Sequence, residues 1–104
     1  MRNFKVITSD DAKIDLADIV EYLSGFSFAI AERYYKEIKE KIRSLSTMPE
    51  RCSFVAYEPL RKKGYRWLFI RNYIVYFTIH KIGTKNTVVV RRVLYARRDY
   101  TALL

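Results

Sequence analysis

One cysteine, one histidine, one tryptophan, two prolines and three glycines are all that the 104 residues contain of the types that most often mark a chemical or structural device. Cys52 has no partner for an intramolecular bridge, and with His80 alone beside it the chain has no metal-ligand pattern. No metal and no cofactor is therefore expected. The glycines are too few and too scattered for a phosphate-cradling loop, and neither HExxH nor GxSxG occurs. Long apolar runs are absent as well. The opening "MRNFKVITSDD" is stopped by Asp10 and Asp11 before it reaches signal-peptide length, and nothing approaches the roughly 20 apolar residues of a membrane span. A reducing cytoplasmic location and no membrane partner follow as expectations.

Negative charge is the most informative scarcity. Residues 1–60 carry nine Lys or Arg against ten Asp or Glu, whereas residues 61–104 carry eleven against one, Asp99, so the net charge of +9 belongs to the C-terminal part. Between Glu58 and Asp99 no carboxylate offsets the basic side chains. A segment that repels itself is tolerated where it meets an anionic partner, nucleic acid or an acidic protein, or else as a solvated face.

What is present is apolar and aromatic. Half the residues are hydrophobic and 15% are aromatic, enough for one core without disulfides or metals, so residues 1–104 read as a single domain. "NFKVITS" alternates as a short strand. Thr8 or Ser9 then caps a helix whose first turn holds Asp10 and Asp11, with Leu16, Ile19, Val20 and Leu23 as its apolar stripe and Gly25 as its C-terminal cap. Ser27 caps a second helix, with Ala31, Tyr35, Ile38, Ile42 and Leu45 on one face, ending towards Met48 and Pro49. Arg51 to Lys63 reads as a loop with at most a turn of helix. "YRWLFI", "YIVYFTIH" and "TVVVRRVLY", separated by "RN" and "KIGTKN", form a three-strand meander, and Tyr100 to Leu104 a final helical turn.

The fold class is α+β, ordered β-α-α-β-β-β, with a helical hairpin packed on one face of a small, mainly antiparallel four-stranded sheet. The other face is expected to stay partly open and to be lined by the basic segment.

His80 lacks a nucleophile or carboxylate near it in sequence, which favours a structural or solvent-exposed role. The carboxylate pairs Asp15 with Asp18 and Glu37 with Glu40 read as solvent-facing. What remains is arginine and tyrosine. Arg66, Arg71, Arg91, Arg92, Tyr95, Arg97, Arg98 and Tyr100 are the candidate partner-binding residues, because a guanidinium suits phosphate or carboxylate and a tyrosine offers an apolar face with a polar tip. RNA cleavage would also need a base, and tyrosine serves only if its pKa is lowered. Tyr73, Tyr76 and Tyr95 read mainly as packing within the sheet.

The order of elements, "DLADIVEYL", "AERYYKEIKEKIRSLSTMPE", "RNYIVYF" and above all "VVRRVLYARRDYTALL" resemble the RelE/ParE superfamily of bacterial type II toxin-antitoxin toxins over nearly the whole chain. The tail resembles the ParE branch, which commonly ends in R-V-L-H-G-x-R-D and a short apolar end. Arg92, Val93, Leu94, Arg98 and Asp99 match, Leu103 and Leu104 supply the end, and Tyr95 and Ala96 stand where histidine and glycine are usual. The RelE branch usually has an arginine after the tyrosine that opens the third strand, and lysines in the second. Here Ile74 follows Tyr73 and Leu68 replaces one lysine, although Arg66, Arg97 and Tyr100 fall near positions that could serve catalysis.

The resemblance implies a toxin that arrests growth by poisoning DNA gyrase, without catalysis of its own. The alternative it carries is a ribosome-dependent endoribonuclease acting on mRNA. It further implies a cognate acidic antitoxin covering the basic surface, contact with operator DNA only through the toxin-antitoxin complex, and a role for Asp99 in holding a neighbouring arginine.

Overall fold

A computed structural model of the chain describes residues 3–104. The order is β1 (Lys5–Thr8), α1 (Asp10–Ser24), α2 (Phe28–Ser44), α3 (Glu58–Lys62), β2 (Arg66–Ile70), β3 (Tyr73–Ile82) and β4 (Lys85–Tyr95), with a single 3-10 turn at Pro49–Arg51. The strands form one sheet in the order β1-β4-β3-β2. The meander pairs antiparallel, and β1 joins β4 in parallel, so the expected α+β class and element order hold.

Caps fix where the helices begin. The Ser9 hydroxyl accepts from the Ala12 amide at 3.1 Å and donates to the Arg91 carbonyl at 2.9 Å, while the Ser9 amide donates to the Val90 carbonyl at 2.9 Å. One residue thus satisfies a helix end and ties α1 to β4. Ser27 caps α2 in the same manner. That helix ends at Ser44, a turn earlier than the apolar pattern suggests. Tyr35 is 41% exposed with Lys39 over its ring, while the adjacent Tyr34 takes the inward position against Tyr73.

Successive strand residues point to opposite faces, and each face of the sheet has its own core. Val75, Phe77, Val88, Val90 and Val93 face the helical hairpin and meet Leu16, Ile19, Ile38, Ile42 and Leu45. Tyr76 and Leu94 face the other way, where Val55, Leu60, Tyr65, Tyr100, Leu103 and Leu104 cover them. The second face is therefore open and basic only in part, at the end that carries His80 and Arg91. The segment 51–63 and the C-terminal tail roof its apolar middle. The tail itself is a turn, with the amides of Leu103 and Leu104 donating to the Tyr100 carbonyl. Among the described residues no helix is long and apolar enough to cross a membrane.

A β-bulge lies in the centre of the sheet. Tyr76 pairs with Arg92 and Phe77 with Val90, leaving Arg91 as the extra residue. Such a residue is re-aimed relative to a regular ladder. In consequence Arg91 and Arg92, adjacent in the chain, end in different surroundings.

Candidate functional site

The basic residues singled out in the sequence divide into two groups. Arg66, Arg71 and Arg92 are held by the protein itself. Arg66 Nη1 donates to the carbonyls of Cys52 at 2.6 Å and Glu50 at 3.2 Å, and its guanidinium lies 3.9 Å from the Phe54 ring centroid. Arg71 occupies the β2–β3 turn with φ of 53°, a left-handed conformation uncommon outside glycine and asparagine. Its side chain pairs with both carboxylate oxygens of Glu37 on α2, and its guanidinium sits 5.0 Å from the Tyr34 ring centroid. The ion pair lowers the Glu37 pKa and raises that of Arg71.

Arg92 is the most firmly held. It donates to Asp15 from Nε at 2.8 Å and from Nη2 at 2.9 Å, and from Nη1 to the Leu103 carbonyl at 3.2 Å. The Asp15 carboxylate also accepts the Val93 amide at 2.9 Å. β1 has ended by this point, so α1 supplies a carboxylate where a neighbouring strand would otherwise supply a carbonyl. Asp15 and Glu37 are accordingly not the idle solvent-facing acids that their spacing suggested: Asp15 is 8% exposed and Glu37 is ion-paired. The basic segment does have counterions: Asp15 on α1 and Glu37 on α2 for two arginines, and Glu58 on α3 for Lys62.

Arg91, Arg97 and Arg98 form the other group. None of them makes an ion pair among the described residues. Arg97 and Arg98 follow the end of β4 and are exposed. Asp99 does not position either of them, because its carboxylate accepts the Thr101 amide at 2.9 Å and the Thr101 hydroxyl at 2.7 Å, closing a local turn that lowers its pKa.

Arg98 lines a groove of about 460 Å³ at this end of the sheet, between α1 and the last residues of β4. Asp18, Ile19 and Tyr22 form its helix wall, and Tyr73, Leu94 and Tyr95 its sheet wall. The Tyr73 and Tyr95 rings meet edge to face at 5.9 Å, and Tyr22 in turn meets the exposed Phe26 at 5.3 Å. An aromatic groove lined by Arg98 as well as by Asp18 suits a partner segment that brings apolar side chains and a carboxylate for the arginine. Sequence reasoning found Tyr95 and Arg98 but missed the helix wall. Asp15, Asp18, Ile19 and Tyr22 recur at three- and four-residue spacing, a second stripe on α1 that charge had disguised, and Phe26 follows just beyond the helix end.

Burial raises the Tyr73 pKa, with Tyr34, Tyr22 and Tyr95 adding to the effect, and burial with Tyr100 pushes Tyr76 up to about 12. Both shifts run against use of these phenols as bases. Tyr100 stacks on Tyr76 with centroids 5.2 Å apart, on the face opposite the helices. Arg66 stands opposite Phe77, on the helix-facing side. The structure therefore does not gather Arg66 and Tyr100 on one face.

Residues 6–100 match the family model described as the ParE toxin of the type II toxin-antitoxin system, parDE. The chain belongs to the ParE toxin family. No individually curated protein matches it. Among solved structures, a chain of the chromosomal ParDE toxin-antitoxin system from P. aeruginosa superposes with a TM-score of 0.73 at 14% identity, covering 90% of this chain and 97% of that one. A chain of the RelBE2 toxin-antitoxin complex from Mycobacterium tuberculosis gives a TM-score of 0.58 at 21% identity, covering 91% and 93%. At these identities the two neighbours establish the shared RelE/ParE fold. The protein is thus a type II toxin by family, built on the ParE-like arrangement of hairpin and sheet.

Proposed function

We propose that this ParE-family protein arrests growth in the cytoplasm by poisoning DNA gyrase, without catalysis of its own, and that an acidic antitoxin neutralises it. The observation that carries this reading is the ParE-family match over residues 6–100. Two features of the site support it. The phenols of Tyr73 and Tyr76 are shifted away from base function, and Arg66 is clamped by backbone carbonyls on a different face from Tyr100. A surface that binds needs neither a base nor a gathered set of catalytic groups.

The antitoxin is assigned to the groove beside Arg98, where a carboxylate meets an unpaired guanidinium and apolar side chains meet Tyr22, Tyr73 and Tyr95. Operator DNA would be contacted only through the toxin-antitoxin complex.

Induction of the toxin alone, with gyrase supercoiling and mRNA integrity followed in parallel, tests the target. Filamentation, a DNA-damage response and accumulation of cleaved gyrase–DNA complexes are expected, with mRNA intact. Codon-positioned mRNA breaks with supercoiling unimpaired would instead establish the ribosome-dependent endoribonuclease.

A further inference from the structure

The only histidine of the chain is not alone in space. Thr78, His80 and Arg91 meet on the face of the sheet opposite the helical hairpin, on the part of it away from the tail. His80 Nε2 lies 2.7 Å from Thr78 Oγ1, Arg91 Nε donates to that same oxygen at 3.0 Å, and Arg91 Nη2 lies 3.2 Å from His80 Nε2. A guanidinium can only donate, so Nε2 must be the acceptor and the ring proton must sit on Nδ1. Thr78 then accepts from Arg91 and donates to His80, and every member of the triangle has a consistent role. The arrangement leaves donors facing outward: Nδ1–H of an exposed ring, and most of the N–H groups of Arg91. It leaves no side-chain acceptor of the triangle outward except the hydroxyl of Thr78, a residue that is buried and whose hydroxyl is already engaged.

Along the strands that carry this cluster the charge has one sign. His80 stands opposite Thr87 on β4, and Thr87 opposite Lys5 on β1, so Lys5 shares the face at about 10 Å, two strand spacings away. Lys85, two residues before Thr87, shares it too. No acid occurs anywhere in β1, β3 or β4, and Arg91 makes no ion pair among the described residues. The bulge is what turns Arg91 onto this face while its neighbour Arg92 goes to Asp15.

We propose that Thr78, His80 and Arg91 form an oxyanion site for a phosphate group, with Lys5 and Lys85 extending it along the sheet. His80 Nδ1–H and the free N–H groups of Arg91 are the direct donors, and Thr78 holds both side chains in the donating geometry. A nucleic-acid strand is the source favoured by the surroundings. Cations repeat along an extended, exposed face, and Trp67 and Phe69 of β2 lie half-exposed on the same face, available to stack on bases. This site lies apart from the groove beside Arg98, so either assignment can fail without the other.

Because the protein has one histidine, its imidazole nitrogens give a single readable set of signals. In a long-range nitrogen–proton NMR spectrum of the intact protein, the Nδ1–H tautomer is expected. Titration with inorganic phosphate should shift Nδ1 along a saturating curve, and Arg91→Gln should abolish the shift while the amide spectrum stays dispersed. A short single-stranded oligonucleotide should then bind more tightly than inorganic phosphate, and Arg91→Gln should lower the slope of log affinity against log salt by about one. An unresponsive ring in the wild type would overturn the proposal without recourse to any variant. So would the opposite tautomer, or a phosphate response that survives Arg91→Gln. If a poly-glutamate peptide shifts the ring at lower concentration than the oligonucleotide, the site belongs to an acidic protein and the nucleic-acid assignment is wrong.

Discussion

Arg92 and Arg91 are consecutive, yet one is fastened from two sides and the other reaches outward. Arg92 is 18% exposed in its side chain, bound by both oxygens of Asp15 and by the Leu103 carbonyl. Arg91 has a hydroxyl and an imidazole for company and no carboxylate. A similar division separates other arginines of the basic segment. Where guanidinium groups meet the helical hairpin, α1 and α2 supply acids, Asp15 for Arg92 and Glu37 for Arg71. Where they leave the hairpin, at Arg91, Arg97 and Arg98, no acid meets them among the described residues. Positive charge is thus neutralised against the hairpin, at Arg92 where burial makes an unpaired ion costly and at Arg71 on the surface, and is left without an acid where the arginines leave it. The surplus that matters for binding is smaller and more local than the total of +9 suggests.

The sharpest way to break this contrast is to remove the acid from the buried side. Asp15→Ala leaves the Arg92 guanidinium and the Val93 amide without their partner at once. A loss of about 3 kcal/mol is expected, the usual order for one half of a buried pair. Chemical denaturation of the variant against the parent measures it. A loss below about 1 kcal/mol would place the Asp15–Arg92 pair with ordinary surface ion pairs and dissolve the distinction.

The roof over the second core should cost less. Deleting residues 100–104 uncovers Tyr76 and Leu94 and removes the partly buried Tyr100, Leu103 and Leu104. About 1 to 3 kcal/mol of apolar burial is at stake. The same deletion should bring the Tyr76 pKa down from about 12 towards its ordinary value of 10.0. The folded state of the parent holds the Tyr76 proton more tightly than the unfolded chain. Its contribution is therefore complete below the ordinary tyrosine range and is lost as pH rises through about 12. Ultraviolet titration of the phenols and alkaline denaturation should show this window in the parent and its narrowing in the truncated chain.

The exposed ion pair should be weaker still, and its sign is set by acid. Glu37 is held below the ordinary glutamate range mainly by its hydrogen bonds to Arg71. Its contribution is present above that range and disappears as pH falls through the depressed value. Glu37→Gln should therefore be slightly less stable than the parent at neutral pH, and the difference should close in acid. A gap that persists at the acid end would mean that the side chain acts through packing rather than charge.

The fold was largely legible because its signals are local. Ser9 and Ser27 announce helix starts through hydroxyls that favour the capping position, and the aromatic and β-branched runs after Gly64 have strand texture. The partnership of Asp15 with Arg92 was not legible, since it joins positions far apart in sequence and depends on β1 stopping at Thr8. Nor was the bulge, which a regular alternation through "TVVVRRVLY" conceals and which alone sends Arg91 and Arg92 apart. Reading Asp15 and Glu37 as idle followed from judging them by helix spacing. Spacing says which residues share a face of α1, but not that the face meets the free edge of β4.

Arg97 and Arg98 give the smallest effect on the fold and the most discriminating one on function. Both are exposed beyond the end of β4, and neither has a side-chain partner among the described residues. Replacing both by alanine should therefore change stability by no more than about 0.5 kcal/mol. If an acidic antitoxin docks at the groove mouth, the double variant should bind it more weakly, and the salt dependence of binding should shrink with the two charges gone. Added salt should weaken the parent complex more than the variant complex. Two arginines that leave the fold untouched yet change the salt response act on a partner. Two arginines whose loss lowers stability as much as Asp15→Ala would belong with Arg92, and the division drawn between held and free cations would end at the last strand.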